Sequence, residues 1–588
     1  MRLARASAFA AIAFLSAVRV ASTYRVFSQT VDEPIHIAAG LQWLTNGGLD
    51  LDPEHPPLAR IAFAAIPFIE GARVASGPAD AKGNEVLLRG SRYRHNLAAA
   101  RVGNLPFFLL ALAVVAIWTW RLFGAAAAFV AMALFASLPP VLAHAGLATT
   151  DMAACATVAA ALLALTLWLE RPTLRSALLL GLALGIGVSS KYSFFVFFPS
   201  AAIVFLLVHR KRPAAAQLAI AILVALLVTW GVFRFSVATL NSMRLEIYPA
   251  GDPRQVAAKY AQVPGYEWVR SDIIERYRHS RFRGADFVDW AKAAGYPSPL
   301  ARRHGNTMIG APPLPAPSLG ARIAERFRSA GQWISVRVPL PAPALVEGLF
   351  KVARHNETGH PTFLFGHLTR RGWWFYFPVV LFFKTPVAFI VFALAGVGQI
   401  VKKMRGEALA VVIAPFAMLL PVMFSQINLG VRHVLPLYPF LSIAGAYAVV
   451  ELWRRGFRWR VEICALLAWL VIGSAVAHPD YLPYFNEAAL GHGERIAIDS
   501  NLDWGQDLLR LAAVVRTLRI QHLYVDYFGS ADPTRLLPCA VEELPGAAPV
   551  RGWVAVSETA LVMSNIEWLK SHRPVREVGK SVRLYELH

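Results

Sequence analysis

The feature that most constrains this chain is a succession of apolar runs, each close to the roughly twenty residues a helix needs to cross about 30 Å of hydrocarbon. They fall near 6 to 22, 101 to 119, 123 to 140, 151 to 169, 174 to 190, 193 to 208, 214 to 236, 376 to 400, 408 to 425, 433 to 452 and 461 to 477. Lipid offers the backbone no hydrogen-bond partners, so such runs read as helices. The expected fold is therefore a polytopic α-helical membrane protein with about eleven transmembrane helices. Basic clusters at Met1 to Arg5, Arg121, Arg171 to Arg175, His209 to Arg212, Lys402 to Arg405 and Arg454-Arg455 all land on one side under this count. That is the positive-inside pattern, with the N-terminus cytoplasmic and the C-terminus outside. The net charge of +21 is thus a topology signal, and no nucleic-acid partner is expected.

The outer side then receives the loop 23 to 100, the turns before Asp151 and at Lys191, a long loop and the C-terminal tail. The chain divides into a membrane module at 1–236, an extracytoplasmic loop at 237–375, membrane helices at 376–477 and a small α/β extracytoplasmic domain at 478–588. In the first outer loop Ile37, Leu41 and Leu44 recur at helical spacing until Gly47-Gly48, which predicts a helix lying in the membrane interface. The long loop carries prolines from Pro297 to Pro317 and an arginine-rich patch from Arg276 to Arg283, which predict short helices and connections. In the tail, short β-rich runs at His522 to Tyr527 and Trp553 to Val556 alternate with a helical stretch at Leu508 to Arg519. The first span follows Arg2 and Arg5 with no small-residue cleavage site and is expected to be retained. Cys155, Cys464 and Cys539 make no metal-like spacing.

Several ionisable residues stand where chemistry at the membrane boundary would need them. Asp32 and Glu33 follow the first span. A cap needs one acid, with Pro34 preset in the first turn. Two in a row favour a carboxylate that takes a proton, with a pKa raised by the apolar boundary. Glu54 and His55 sit in a proline-fixed turn, either solvated or offering two ligands to a phosphate or a divalent metal. Asp151 heads a span, where an N-cap is the simpler account. Lys191 stands between two spans at the same level, where a snorkelling lysine would look the same. Arg432 and His433 begin another span, and Lys384 lies inside the eighth, where an ionisable group is a functional candidate. Acids and bases from at least five segments thus meet one leaflet, as binding an anionic headgroup beside a catalytic carboxylate requires.

Asp32-Glu33-Pro34, Glu54-His55-Pro56-Pro57-Leu58, Thr150-Asp151-Met152, Lys191-Tyr192, Gly372 to Pro378 with Lys384-Thr385-Pro386, Arg432-His433 and the run Asp499 to Asp507 together resemble bacterial phospholipid-carrier-dependent glycosyltransferases. These group with the protein O-mannosyltransferases and the aminoarabinose transferase of lipid A in the C-type glycosyltransferase fold. The resemblance implies an enzyme of the bacterial cytoplasmic (inner) membrane that takes a sugar from a polyprenyl-phosphate donor. Its acceptor hydroxyl would belong to a lipid, protein or polysaccharide, with inverting transfer outside the membrane. It implies Asp32 as the general base with Glu33 as its neighbour, and Asp151 as a second acid. Lys191, Arg432 and His433 would lie beside the donor phosphate, and Lys384 and Asp503 would support the acceptor side. Glu54 and His55 match an acid and a lysine that contact metal and phosphate. Histidine replaces the lysine here, and is mostly neutral at pH 7. The Asp499 to Asp507 run matches without an assigned role, as a dock for the tail or a contact for acceptor.

The competing reading is a transporter or flippase of lipid-linked sugars. It requires ionisable groups near the bilayer midplane and matched interrupted helices in two halves. Here the charges gather at span ends. A non-catalytic scaffold is a further alternative.

Overall fold

The computed structural model of the chain describes residues 2–74, 79–209, 215–240, 270–273, 338–546, 548–564 and 566–588. They fall into two units, one of residues 1–232 with 360–588 and one of residues 233–359. The expected proline-rich segment and the Arg276 to Arg283 patch lie outside the described residues, as do Arg210 to Arg212 of the fourth basic cluster.

In the larger unit every expected run contains a helix: Arg2–Ala21, Leu105–Phe123, Ala125–Ala136, Asp151–Glu170, Leu174–Val188, Phe194–His209, Ala215–Val232, Val387–Lys403, Glu407–Val422, Tyr438–Trp453 and Phe457–Val476. Among the described residues, 5 helices are long and apolar enough to cross a membrane, or up to 7 when two bent pairs count as spans. The expected eleven is therefore not reached by length and apolarity alone. The bends have a covalent cause, since proline lacks the N–H that continues a helix and clashes with the preceding turn. Ala125–Ala136 meets Pro139–Ala145 at 69°, and Tyr376–Lys384 meets Val387–Lys403 at 116° across Thr385-Pro386. Lys384 consequently ends a short helix at an elbow instead of lying within a straight span.

Phe14, Leu207, Leu226 and Val476 are 67%, 69%, 63% and 78% exposed on different helices. Apolar surface distributed in this way around a bundle is covered by lipid, and the chain is a multi-pass membrane protein. At its centre Asp151–Glu170 is largely buried, and its length of about 30 Å separates two ends of different character. At one end Arg121 pairs with Glu170 at 2.9 Å and reaches Glu407 at 3.7 Å, beside basic residues of neighbouring helices. At the other stands Asp151.

The first outer loop is a helical cluster of its own. Glu33–Asn46 ends at Gly47, whose φ of 77° is the left-handed turn that glycine adopts without strain. Its Ile37 and Leu41 pack on Ala59 and Phe63 of Pro57–Ile69. The close crossing requires Gly40, because a Cβ there would lie 2.0 Å from the Arg60 carbonyl oxygen. The apolar face that the spacing predicted is thus packed inside the loop.

Four short strands precede the tail: β1 (Val237–Ala238) pairs with β2 (Leu340–Pro341) in the smaller unit, which also holds the helix Pro343–Thr358, and β3 (Thr362–Leu364) pairs with β4 (His367–Thr369) in the larger. The tail builds a five-stranded mixed sheet from β5 (His522–Asp526), β6 (Ala540–Glu543), β7 (Gly552–Ser557), β8 (Arg576–Val578) and β9 (Val582–Leu587), in the order β6-β5-β7-β9-β8. Strands β5, β6 and β7 run parallel, and β9 is antiparallel to β7 and β8. Leu523 and Val525, two apart and so on one face, pack with Leu508, Leu511 and Val515 of the helix Leu508–Leu518.

Candidate active site

Asp32 sits at the start of the Glu33–Asn46 helix, yet its side chain makes no cap. It accepts a hydrogen bond of 2.7 Å from Arg432 Nη1, which enters from the 3₁₀ turn Val431–Leu437 leading into a membrane helix. The same Nη1 lies 3.9 Å from Asp151 Oδ2, and Lys191 Nζ donates to Asp151 Oδ1. Asp32, Arg432, Asp151 and Lys191 therefore form one alternating chain of charge at the end of the bundle opposite the basic clusters. Arg432 stacks on the Trp504 ring at 4.2 Å. Burial is the largest influence on Asp32 and would raise its pKa, but the Arg432 guanidinium, His36 and His55 together hold the carboxyl below its usual value. The Asp32 side chain keeps 25% exposure while Asp151 keeps 1%, so Asp32 is the more accessible of the two acids. Arg432 Nε and Asp151 Oδ2 are buried without a hydrogen-bond partner among the described residues.

Glu33, expected beside Asp32 in the chemistry, is committed elsewhere. Arg101 Nε and Nη2 each donate to it at 2.8 Å, and the backbone N–H groups of Thr30 and Ala148 donate at 2.8 and 2.9 Å. Arg101 also donates to the carbonyls of Tyr24, Phe27 and Ser28. Glu33 is fully buried, with its lone pairs used, and it fixes the turn that aims Asp32.

Below Asp32 a second cluster forms around Asp52. His36 Nδ1 stands 3.0 Å from Asp52 Oδ2, His55 Nδ1 3.1 Å from Asp52 Oδ1, and Arg60 Nη1 3.4 Å from Oδ2. One atom from each of His36, Asp52 and His55 lies within 4.8 Å of the others, which is ligand spacing for a metal ion. The Nε2 of His36 is buried with no partner among the described residues. Two imidazoles and a carboxylate suit zinc, so the donor set fits a divalent ion. Of the expected pair of Glu54 and His55, the structure brings His55 into this group with His36 and Asp52; Glu54 is not among its three members.

The Asp499 to Asp507 run forms the facing wall. Ser28 N donates to Gln506 O at 2.9 Å and Val31 N to Trp504 O at 3.1 Å, so the segment leading into Asp32 is zipped to the tail. Lys384, expected near acceptor, instead donates to the carbonyls of Leu482 and Asn501 at 2.7 and 2.6 Å and lies over the Phe485 ring. It anchors the tail to the membrane helices. Asp503 is likewise internal, accepting from the N–H groups of Gly505 and Thr559 at 3.2 and 2.8 Å, with its carboxyl pushed up to about 7 by burial. Asp499 is buried beside Arg432 with its carboxyl pushed up to about 6, again by burial. His433 stacks on Phe377 and is within electrostatic reach of Arg432, Lys191, Asp151 and His55.

Arg101, His36, Asp52 and Arg60 escaped the sequence reading, and Trp504 entered it only as a member of the Asp499 to Asp507 run. His36 carried a signal, as a polar residue on the buried face of an otherwise apolar helix.

The chain is thus a multi-pass bundle whose first outer loop brings paired acids and bases together at one end. Residues 94–233, about a quarter of the chain, match the family model described as dolichyl-phosphate-mannose-protein mannosyltransferase, and the matched stretch contains Arg101, Asp151 and Lys191. Among solved structures, ArnT from Cupriavidus metallidurans bound to undecaprenyl phosphate is similar at 12% identity over 98% of this chain and 97% of its own, with a TM-score of 0.46. The Archaeoglobus fulgidus oligosaccharyltransferase in its apo form is similar at 14% identity over 92% of this chain and 65% of its own, with a TM-score of 0.44. The S. cerevisiae protein O-mannosyltransferase Pmt1-Pmt2 complex bound to the sugar donor is similar at 16% identity over 39% of this chain and 33% of its own, with a TM-score of 0.30. No curated protein sequence matches the chain.

Proposed function

We propose that this protein transfers a sugar from a polyprenyl-phosphate donor to a hydroxyl acceptor at the extracytoplasmic face of the bacterial inner membrane, with inversion and with Asp32 as general base. The observation that carries the reading is the Asp32–Arg432 pair at the membrane edge, continued by Asp151 and Lys191. The matched family is described by a donor of the same chemistry, a sugar on a polyisoprenoid phosphate.

Arg432 neutralises two carboxylates, and its Nε has no hydrogen-bond partner among the described residues. A phosphate arriving from the lipid takes donors from Arg432 and Lys191, as a guanidinium fork and an ammonium do. Asp32 then shares its partner, its carboxylate becomes more basic, and it gains the proton affinity that a general base needs only when donor is present. The acceptor oxygen attacks the anomeric carbon from the face opposite the phosphate and its proton passes to Asp32. The bond from carbon to phosphate oxygen breaks, and polyprenyl phosphate leaves with the electron pair, held by the two cations. A divalent ion held by His36, Asp52 and His55 would add positive charge for phosphate oxygens. Asp151 keeps Lys191 and Arg432 at the spacing one phosphate requires. The ionisable residues named here gather at one end of the bundle, which favours transfer over a midplane transport pathway.

The test is Asp32→Asn in the purified chain, supplied with a synthetic polyprenyl-phosphate sugar and an extract of envelope acceptors. Transfer should fall by about 10²–10⁴ while donor binding persists. Transfer at the parent rate would remove Asp32 from the mechanism.

A further inference from the structure

Away from the charge chain, a cleft of about 670 Å³ opens between the first outer loop and the tail domain. Arg92, Arg94 and His95 line it from the loop, and Arg516 and Arg535 from the tail, over an apolar floor that includes Leu509 and Leu536. Among the described residues no acidic side chain lines it. Two of its basic side chains are partnered at the margin, His95 by Glu70 at 2.8 Å and Arg535 by Glu85. The other three, Arg92, Arg94 and Arg516, have no ion pair among the described residues. Three like charges around one cavity repel one another, and an anion inside would relieve that. Nothing in the transfer mechanism uses them.

The cleft is also tied to the reacting segment. Tyr93, in its wall, donates its hydroxyl proton to the Gln29 side-chain oxygen at 3.1 Å and accepts from Gln29 N at 2.9 Å. Gln29 stands three residues before Asp32. Its side chain also donates to Asn84 of the loop and Ser530 of the tail. An occupant bridging loop and tail would therefore bear on the segment that carries the base.

We propose that this cleft is a binding site for a phosphate-bearing saccharide, and that it holds the anionic part of the acceptor while the reacting hydroxyl lies at Asp32. Guanidinium forks match phosphate oxygens, and the leucine floor suits the apolar face of a sugar ring. The assignment to acceptor rests on the transfer reading; phosphate binding in the cleft does not.

The experiment separates the two. Glucose 6-phosphate is titrated into the full chain in nanodiscs, for the parent, Arg94→Gln/Arg516→Gln, the matching double Lys variant and Asp32→Asn. The expected results are binding that weakens with salt, a loss of tenfold or more in the Gln variant, partial recovery in the Lys variant and no change in Asp32→Asn. The Gln variant should also raise the acceptor KM with kcat little changed. Equal affinity in parent and Gln variant overturns the site. Weakened phosphate binding with an unchanged acceptor KM leaves an anion site and overturns its assignment to acceptor. Nanodiscs with and without phosphatidylglycerol identify the source: competition by the lipid points to a lipid headgroup, and its absence to a soluble or polymeric saccharide phosphate.

Discussion

Arg432 donates to Asp32 at 2.7 Å although 400 positions separate them in the chain. The pair joins the first outer loop to a helix entry near the far end of the membrane domain, and Trp504 of the tail covers the guanidinium. Three distant segments are thus held by one side chain, which makes the Arg432 guanidinium both a structural tie and the cation nearest the proposed base.

Arg432→Gln leaves Asp32 and Asp151 without their shared cation, and removing one member of a buried pair costs about 3–5 kcal/mol. Asp32→Asn alone should cost less, because Arg432 keeps Asp151. The double variant should be more stable than the sum of the single losses predicts. Thermal unfolding of the four detergent-purified proteins measures the coupling. Additive losses would mean that the two residues do not interact in solution.

Glu33 separates position from chemistry. In Glu33→Gln the Arg101 guanidinium is left with an uncharged partner in a fully buried site, and stability should fall by about 3–5 kcal/mol. The folded fraction should retain the parent pH profile of transfer, because Glu33 does not touch substrate. A displaced profile at parent stability would make it a proton carrier after all.

The membrane character of the chain and the residues of the charge chain were legible because their signals are local. Apolar runs announce helices, and Asp32, Asp151, Lys191 and Arg432 each stand at a span end where charge is conspicuous. What the sequence hides is pairing. Arg101 heads a span and looks like any interfacial anchor, so nothing reveals that it consumes Glu33. Lys384 looked intramembrane because Pro386 does not state how far a helix will turn, and the 116° elbow moves it beside the tail. His36 and Asp52 lie 16 positions apart and meet only because Gly40 allows two helices to cross closely.

The Asp52 cluster predicts a metal dependence that can be read without assaying transfer. Protein stripped with a chelator should take up about one zinc per chain, and Asp52→Asn should weaken uptake by at least the roughly 10–100-fold seen when a zinc site loses a group that only supports a ligand. Competition with a chromophoric chelator gives the affinity. Glu54→Gln should leave it unchanged. Equal affinity in the parent and Asp52→Asn would show that the triad is a hydrogen-bonded hub around a carboxylate and not a metal site.

The tail should give the chain an unusual pH response. Burial pushes the carboxyls of Asp499 and Asp507 up to about 6 and that of Asp503 to about 7. In the unfolded chain each titrates near 3.9. Between about pH 4 and 7 the folded state therefore holds protons that the unfolded state has released, and stability falls as pH rises through that window. Asp503→Asn cannot titrate. Its side-chain amide offers one acceptor oxygen where the carboxylate receives from Gly505 and Thr559. At pH 4 it should be no more stable than the parent. As pH rises to 7 the variant should gain on the parent steadily, and above about 7.5 the difference should level off. Thermal unfolding followed by tryptophan fluorescence, with Trp504 and Trp553 reporting on the tail, measures that difference directly. A gap that stays constant from pH 4 to 8 would mean that Asp503 ionises as an ordinary exposed acid, so that the run from Asp499 to Asp507 is not buried against the membrane domain.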